Sequence, residues 1–241
     1  VYGGGIYNSG MLTVTNSTIS GNVAASKGGG IWSGGTLNAT NSTISGNTGG
    51  DFGGGIHNDF GTVSVTNSTV SGNNADGARG GGISAFGGTV NVINSTVSGN
   101  SASSSQGGGI FHEFGGTVNL TNSTISGNTS NSGDGGGVYN GPGNTLNARN
   151  TIIAGNTAPT GPDFSGTLTS QGNNLIGNTT GTTISGGPSD IINVSAGLAP
   201  LANNGGPTQT HALFGNSPAI DAGNNCVFDD TCSPALGSPI T

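Results

Sequence analysis

Apolar side chains alternate with polar ones in short blocks along the first 156 residues. In the first block Leu12 and Val14 flank Thr13, and Ile19 lies between two polar residues. A period of two is typical of a strand with one dry and one wet side. Helix is excluded by composition, since Gly and Asn dominate and strong helix formers are scarce. The pattern therefore predicts an all-β chain.

The blocks belong to a unit that occurs six times, and each unit opens on a Gly triplet. The Asn that begins the second motif of each unit lies at Asn16, Asn41, Asn67, Asn94, Asn122 and Asn150. These Asn residues are 25, 26, 27, 28 and 28 residues apart, and such a period marks a repeat architecture. Three short strands per unit are too few for a propeller blade of roughly 40 residues. We predict a right-handed parallel β-helix, a solenoid of about eight to nine turns of 25–28 residues.

Equivalent residues of successive turns would stack on one another, about 4.8 Å apart. Three apolar ladders, which begin at Ile6, Val14 and Ile19, would fill the interior. Two ladders of Asn would form at the corners, with side chain bonded to side chain. The first ladder, which we expect to be buried, comprises the six Asn residues named above. The second follows a Gly in each unit and comprises Asn22, Asn47, Asn73, Asn100, Asn128 and Asn156.

The repeats divide the chain into two parts. They are regular over residues 1–156 and degenerate over 157–195, so we assign 1–195 to the parallel β-helix. The segment 196–241 does not repeat. Because the end of a solenoid exposes strand edges and an open core, we predict that 196–241 forms a C-terminal cap and tail.

Charge and hydropathy narrow the classes of partner. The 241-residue chain carries a formal net charge of −7 and only three Lys and Arg residues. Nucleic-acid binding needs a basic surface, so we expect no nucleic-acid partner. No apolar run approaches the ~20 residues of a spanning helix, so we expect no membrane-spanning segment.

Two cysteines, Cys226 and Cys232, lie close together near the C-terminus. They form a local disulfide or remain free thiols. A metal site would need two more ligands, and only Asp229 and Asp230 are near. We favour the disulfide, which implies an oxidising setting, extracellular or at the cell surface.

The unit Gly-Gly-Gly-Ile-Tyr-Asn followed by Asn-Ser-Thr-Ile-Ser-Gly-Asn resembles the β-helix repeats of bacterial surface proteins, including polymorphic outer-membrane-protein-like repeats. The segment Asn-Asn-Gly-Gly-Pro-Thr-Gln-Thr-His at 203–211, with Ser-Pro-Ala-Ile-Asp-Ala-Gly at 217–223, resembles the end of choice-of-anchor Q β-helix proteins. This resemblance covers nearly the whole chain. It implies secretion, surface display and no assigned enzymatic activity.

Acidic residues offer one candidate for catalysis. Asp59 and Glu113 follow the first strand of their units, two turns and about 10 Å apart, near the separation of an inverting carboxylate pair. The alternative is that both are solvated loop charges. His57 and His112 occupy different positions of the repeat, so a shared metal site is not expected. We therefore predict no catalytic site, no metal and no cofactor.

Aromatic residues concentrate along one edge of the predicted solenoid, where they would point outward. They are Tyr7, Trp32, Phe60, Phe86, Phe111, Phe114 and Tyr139. Such a row is a sugar-stacking strip, a contact with another chain, or a patch that the loops cover. A regular outward Thr and Ser array, which includes Thr69 and Ser98, is the arrangement that an ice-binding solenoid would use.

These observations favour a non-enzymatic structural or adhesive protein outside the cell. Its partners would be other copies of itself or a surface glycan. We expect head-to-tail stacking into fibres, because the first turn would present open strand edges. The alternatives are a carbohydrate-binding or polysaccharide-degrading β-helix enzyme and an ice-binding solenoid.

Overall fold

The structure, a computed structural model, describes residues 2–77, 79–187, 189–229 and 231–232. The chain is a parallel β-solenoid with almost no helix, so the predicted fold class is confirmed. It has about six turns rather than eight to nine. The predicted number of turns was too high because the residues after 156 form only incomplete turns.

Each of the first five turns holds four strands, one more than predicted, and the sixth holds three among the described residues. The first two turns contain β1 (Ile6–Asn8), β2 (Met11–Thr15), β3 (Thr18–Ser20), β4 (Val23–Ala24), β5 (Ile31–Ser33), β6 (Thr36–Thr40), β7 (Thr43–Ser45) and β8 (Thr48–Gly49). The third and fourth contain β9 (Ile56–Asp59), β10 (Thr62–Thr66), β11 (Thr69–Ser71), β12 (Asn74–Ala75), β13 (Ile83–Phe86), β14 (Thr89–Ile93), β15 (Thr96–Ser98) and β16 (Ser101–Ala102). The fifth and sixth contain β17 (Ile110–Glu113), β18 (Thr117–Thr121), β19 (Thr124–Ser126), β20 (Thr129–Ser130), β21 (Val138–Asn140), β22 (Thr145–Arg149) and β23 (Ile152–Ala154).

The remaining elements are irregular. They are β24 (Phe164–Ser170), β25 (Leu175–Ile176), β26 (Thr182–Gly186), β27 (Ile191–Ile192), β28 (Leu198–Ala202), β29 (Thr210–Leu213) and the short helix α1 (Cys226–Asp229). Strands β28 and β29 form an antiparallel hairpin, whereas the solenoid strands pair in parallel.

Corresponding strands of successive turns make four columns. The first sheet contains β1, β5, β9, β13, β17 and β21, and the second contains β2, β6, β10, β14, β18 and β22. Strand β24 pairs with both β21 and β22 and so joins these two sheets. The third sheet contains β3, β7, β11, β15, β19, β23, β25 and β27, and the fourth contains the two-residue strands β4, β8, β12, β16 and β20.

The interior is a stack of aliphatic ladders, because the pairing keeps like residues in register. Ile6 pairs with Ile31, Ile31 with Ile56, and Ile56 with Ile83 along the first sheet. From the second turn onward these side chains are fully buried. The Gly triplets bring the backbone close to the fourth sheet, since a Cβ on Gly29 would lie only 2.4 Å from the carbonyl oxygen of Thr48.

We expected the Asn residues of the Asn-Ser corner to be buried, but they are not. All six, from Asn16 to Asn150, have φ between 46° and 50°, and they lie half-exposed or exposed. Asn tolerates this left-handed conformation better than most residues. Side-chain bonds along this corner join Asn94 to Asn67 and Asn122 to Asn94. Their main role is therefore to turn the backbone.

The Asn residues of the Gly-Asn corner form the buried ladder instead. Asn47 Nδ2 donates to Asn73 Oδ1 at 2.9 Å, and Asn73 Nδ2 donates to Asn100 Oδ1 at 2.9 Å. Each Oδ1 also accepts the backbone N–H of the preceding Asn. The donors all point the same way, and the last one, Asn156 Nδ2, donates to Asp163 Oδ1 at 2.9 Å. An acceptor-only carboxylate thus ends a chain of amides, a place where charge strengthens the bond.

A second ladder runs through the Ser of each Asn-Ser corner and also ends on an acid. The backbone N–H of Ser42 donates to Ser68 Oγ at 3.0 Å, and equivalent bonds continue along the turns. The last steps run from Thr151 to Asn174 Oδ1 and from Asn174 to Asp190 Oδ1. Asp163 and Asp190 therefore stand where each ladder would otherwise lack an acceptor.

We predicted that 196–241 closes the end of the solenoid, but the described part of this segment lies along the sides; residues 230 and 233–241 lie outside the described residues. Thr69 Oγ1 donates to the carbonyl of Gln209 at 2.6 Å, although the two residues are 140 positions apart. His211 Nε2 lies 2.9 Å from Ser98 Oγ. The β28–β29 hairpin thus lies on the outer side of the third sheet, across its middle turns. We call residues 196–232 the tail strap.

Apolar contacts anchor the tail strap at two places. Ala196 and Leu198 pack on Ile152, Ala154 and Leu175 of the third sheet. Past the corner, Val227 and the two cysteines pack on Ile93 of the second sheet. These anchors replace polar residues of the repeat, since Ile152 aligns with Thr124, and Ala154 with Ser126. Cys226 and Cys232 are joined by a disulfide.

Candidate functional site: the aromatic face

The outer side of the first sheet carries most of the aromatic residues, and we call it the aromatic face. Its central column follows the register of the strands and comprises Tyr7, Trp32, His57, Ser84, Phe111 and Tyr139. A flanking column precedes the Gly triplets and comprises Tyr2, Lys27, Phe52 and Arg79, which pair as isolated bridges. On the other side lie Asp59, Phe86 and Glu113, in register with one another.

Rings of neighbouring turns stack along the solenoid axis. Tyr7 and Trp32 lie 4.4 Å apart between ring centroids with planes 8° apart, and Phe111 and Tyr139 lie 5.3 Å apart at 5°. This follows from the parallel register, which places successive side chains about one strand spacing apart. Within these pairs each ring turns one face to its neighbour, and that face is closed to an external ligand.

The face is only partly open. We expected the aromatic row to point outward and left open whether it is covered. Trp32 and Phe111 are buried, and Phe86 and Tyr139 are half-buried. They do point away from the core, but other side chains cover them. Tyr7, Phe60 and Phe114 remain exposed, at 58%, 65% and 55%.

Two cations supply much of this cover. Lys27 Nζ lies 5.0 Å from the Phe86 ring centroid and 5.7 Å from that of Phe52. The guanidinium carbon of Arg79 lies 5.1 Å from the Phe111 ring centroid. A cation over an aromatic ring is attracted by the ring's negative face. The sequence analysis missed Lys27 and Arg79, although each directly precedes a Gly triplet, in the same repeat position.

Both candidate catalytic carboxylates are engaged by these cations. Lys27 Nζ lies 3.8 Å from Asp59 Oδ2, and Arg79 Nη1 lies 3.0 Å from Glu113 Oε2. The two carboxylates of the alternative, catalytic interpretation therefore belong to two separate ion pairs. Each ion pair also neutralises the charge that its cation brings to the aromatic face.

His57 is buried in the middle of the face without a hydrogen-bond partner. Neither Nδ1 nor Nε2 has one, and the ring packs against Phe86 at 4.8 Å and Phe52 at 6.0 Å. Burial, and then the charge of Lys27, lower its pKa to about 3. His57 is therefore neutral at physiological pH. Trp32 Nε1 and Ser84 Oγ, in the same column, are also buried and unpartnered.

His112 lies on the opposite side of its strand from this column. It is in register with Ala85, whereas His57 is in register with Ser84. Its Nδ1 lies 2.9 Å from Asn140 Oδ1, and burial lowers its pKa although that bond opposes the shift. The two histidines are thus kept apart by the pleat. Among the described residues no group of three His, Cys, Asp or Glu side chains could hold a metal ion.

Phe60 and Phe114 are in a backbone conformation that large side chains rarely adopt. Their φ angles are 60° and 68°, in the left-handed region. The equivalent position of the intervening turn is Gly87, with a φ of 59°. A left-handed residue other than Gly costs roughly 1–2 kcal/mol. Phe60 and Phe114 therefore lower the free energy of unfolding by an amount that Gly at these positions would not.

The Thr and Ser array on the third sheet is not an open surface. Thr69, Thr96, Ser98 and Ser126 are buried, and the tail strap contacts Thr69 and Ser98 directly. His211 Nδ1 lies 2.7 Å from the carbonyl of Ala199, and since a carbonyl only accepts, that nitrogen carries a proton. In the neutral ring Nε2 then accepts the hydroxyl of Ser98. His211 thus fastens the hairpin to the solenoid.

Three comparisons of the chain with known proteins were made, and none found a match. No family model matches it, and searches of curated proteins and of solved structures returned no significant match. The parallel β-solenoid is confirmed by the structure, whereas the resemblance to choice-of-anchor Q and polymorphic outer-membrane-protein-like repeats stays a prediction. Within the described ranges, no helix has the length and apolarity to span a membrane.

Proposed function

We propose that this chain is a non-enzymatic structural and adhesive protein that acts outside the cell, with the aromatic face as its contact surface. The observation that carries the proposal is the exposure of Tyr7, Phe60 and Phe114 on one side of a solenoid. Clustered exposed apolar groups mark interaction sites. The disulfide of Cys226 and Cys232 supports an oxidising compartment. Antibody labelling of intact cells tests the location, and labelling only after lysis contradicts it.

The ion pairs of Asp59 and Glu113 argue against a glycoside hydrolase. Such an enzyme needs one carboxyl group free to donate a proton and a second free to act as base or nucleophile. Here each carboxylate is held by a different cation. We expect no release of reducing ends from a panel of polysaccharides. Turnover that Glu113→Gln abolishes would replace this proposal with the enzymatic one.

Head-to-tail assembly is the second candidate. At the end of the solenoid that follows β23, strands β26 and β27 pair on one side only among the described residues. There Ile184 is half-buried and Ile192 is 47% exposed. Open strand edges pair with other chains, and a contact between unlike ends extends into filaments. Light scattering and electron microscopy test it, and a stable monomer at high concentration contradicts it.

Ice binding is disfavoured, because an ice-binding face must be bare and regular. The tail strap covers the middle of the Thr and Ser array. We therefore expect no thermal hysteresis in a freezing assay of the full chain.

A further inference from the structure

Phe60 and Phe114 form an exposed aromatic pair that the fold does not require. Gly87, between them in the same loop position, adopts the same left-handed backbone without a side chain. Backbone strain of this kind concentrates at ligand sites, where the surroundings hold a side chain in a set position. The two phenylalanines thus indicate a ligand that contacts both turns.

The Phe60 ring is placed by the glycine beside it. A Cβ on Gly87 would lie 2.5 Å from Phe60 Cδ1 and 2.7 Å from Cε1, so the ring occupies the space that a side chain would fill. One side of the ring rests on this backbone, while most of it faces solvent. Tyr7 and Trp32, by contrast, turn their faces to each other. Phe60 therefore offers an aromatic surface that is open to an external ligand.

Unpartnered polar atoms lie in the central column of the same face. Trp32 Nε1, both ring nitrogens of His57 and Ser84 Oγ are buried without hydrogen-bond partners, on three successive turns. Buried polar groups of folded proteins nearly always have a partner. Side-chain rotations at binding surfaces are common, and a rotation of Phe86, which packs on His57, would open His57 to a ligand's hydroxyl groups.

Charge and spacing narrow the ligand further. Lys27 and Arg79 are paired with Asp59 and Glu113. Burial raises the pKa of Tyr139 and the nearby charge of Asp134 adds to this rise, so the face does not favour an anionic ligand. Two strand spacings separate Phe60 from Phe114, which is about 10 Å along the axis. An extended β-1,4-linked glucan repeats at about this length every two sugars, and each sugar has an apolar face and a rim of hydroxyl groups.

We propose that the aromatic face binds a neutral, extended β-1,4-linked polysaccharide along the solenoid axis, with alternate sugars on Phe60 and Phe114. This inference rests on the proposed adhesive function and names its ligand. Sugar hydroxyls pair with His57 and Trp32 Nε1. No bond of the glycan is broken.

Isothermal titration of the full chain with cellohexaose tests the proposal. We expect saturable binding to the unaltered chain, a loss of about tenfold or more in affinity for Phe60→Gly and for Phe114→Gly, and a smaller loss for His57→Phe. Phe214→Ala is the matched control, because Phe214 is 52% exposed but lies on the tail strap. The affinity of this variant for cellohexaose should not change. A hexamer of galacturonic acid should not bind.

Three results would overturn the proposal: no binding of cellohexaose, equal binding by Phe60→Gly, or stronger binding of the charged hexamer. Sedimentation velocity at the same concentrations identifies the other occupant. If chains associate and Phe60→Gly separates them, the face contacts a second copy and not a glycan. A reducing-end assay on the titrated samples keeps the two proposals apart, because turnover contradicts the non-enzymatic function, whereas absent binding contradicts the glycan alone.

Discussion

The aromatic face and the outer side of the third sheet, which carries the Thr and Ser array and which we call the Thr and Ser face, are built from the same repeated unit. They differ in what covers their irregular residues. On the Thr and Ser face, departures from the repeat such as Ile152 and Ala154 are covered by the tail strap. On the aromatic face, Phe60 and Phe114 remain exposed in a strained backbone, and the central column of the same face holds unpartnered polar atoms. The comparison teaches that the regular positions build the solenoid and the irregular ones make its contacts. One set of contacts is satisfied within the chain, and we propose that the other serves a partner.

The largest expected effect is the acid sensitivity of the aromatic face. His57 has a pKa of about 3 in the folded chain and about 6.5 when unfolded. Between pH 3 and pH 6.5 the unfolded state binds the extra proton, so the contribution of His57 to the free energy of unfolding falls as the pH falls. The loss reaches on the order of 4–5 kcal/mol near pH 3. His57→Phe should flatten the pH dependence of urea unfolding between pH 6.5 and 3.

Two other groups with shifted pKa values, His112 and Asp163, also contribute to the pH dependence of the free energy of unfolding, and they determine the slope that remains in His57→Phe. Burial lowers the pKa of His112, which acts in the same direction as His57. Burial raises the pKa of Asp163, which adds stability on acidification and opposes both. An unchanged slope in His57→Phe would show that His57 is not buried as a neutral ring.

The buried Asn ladder, which ends the Thr and Ser face at each turn, should give the next largest effect. Asn100→Ala removes the acceptor of both the backbone N–H and the Nδ2 of Asn73. Buried donors left without acceptors cost about 1–3 kcal/mol each, so we expect a loss of about 3–5 kcal/mol in urea unfolding. Asn94→Gly at the other corner is the control, and it should change stability by less than about 1 kcal/mol. Equal losses at both corners would contradict the distinction.

The anchor of the tail strap should be weaker than the ladder. Ile93→Thr restores the residue of the neighbouring turns and removes the apolar contact of Val227. We expect a loss of about 1–2 kcal/mol, and we expect limited proteolysis to cut the strap before the solenoid. Thr15→Ser, at an exposed position of the same column, is the control. Simultaneous cleavage of strap and solenoid would show that they unfold as one unit.

The smallest effect should have the opposite sign. Phe60→Gly relieves a left-handed backbone and uncovers little, so the free energy of unfolding should stay unchanged or rise by up to about 1 kcal/mol. Gly87→Ala should destabilise the chain by about 1–2 kcal/mol, since its Cβ would meet the Phe60 ring. Part of that loss should return in the double variant. A loss of stability in Phe60→Gly would mean that the fold itself needs the ring.

The repeat allowed three of the four strands of each turn, the apolar ladders and the fold class to be predicted, because parallel stacking converts a sequence period directly into contacts. It could not separate the two Asn corners, since both have the same period and differ only in backbone conformation. The path of the tail strap escaped prediction because it depends on single positions such as Ile93. The cover over Phe111 includes Arg79, which directly precedes a Gly triplet, a position that the apolar pattern does not single out.

Fluorescence of Trp32 tests the central claim, that the aromatic face is the one left for a partner, most directly. Trp32 is the only tryptophan of the chain and lies in the central column of this face. Titration with cellohexaose should give a saturable change in its emission, which Phe60→Gly removes and Phe214→Ala retains. An emission that does not respond, or a response that persists in Phe60→Gly, would contradict the account.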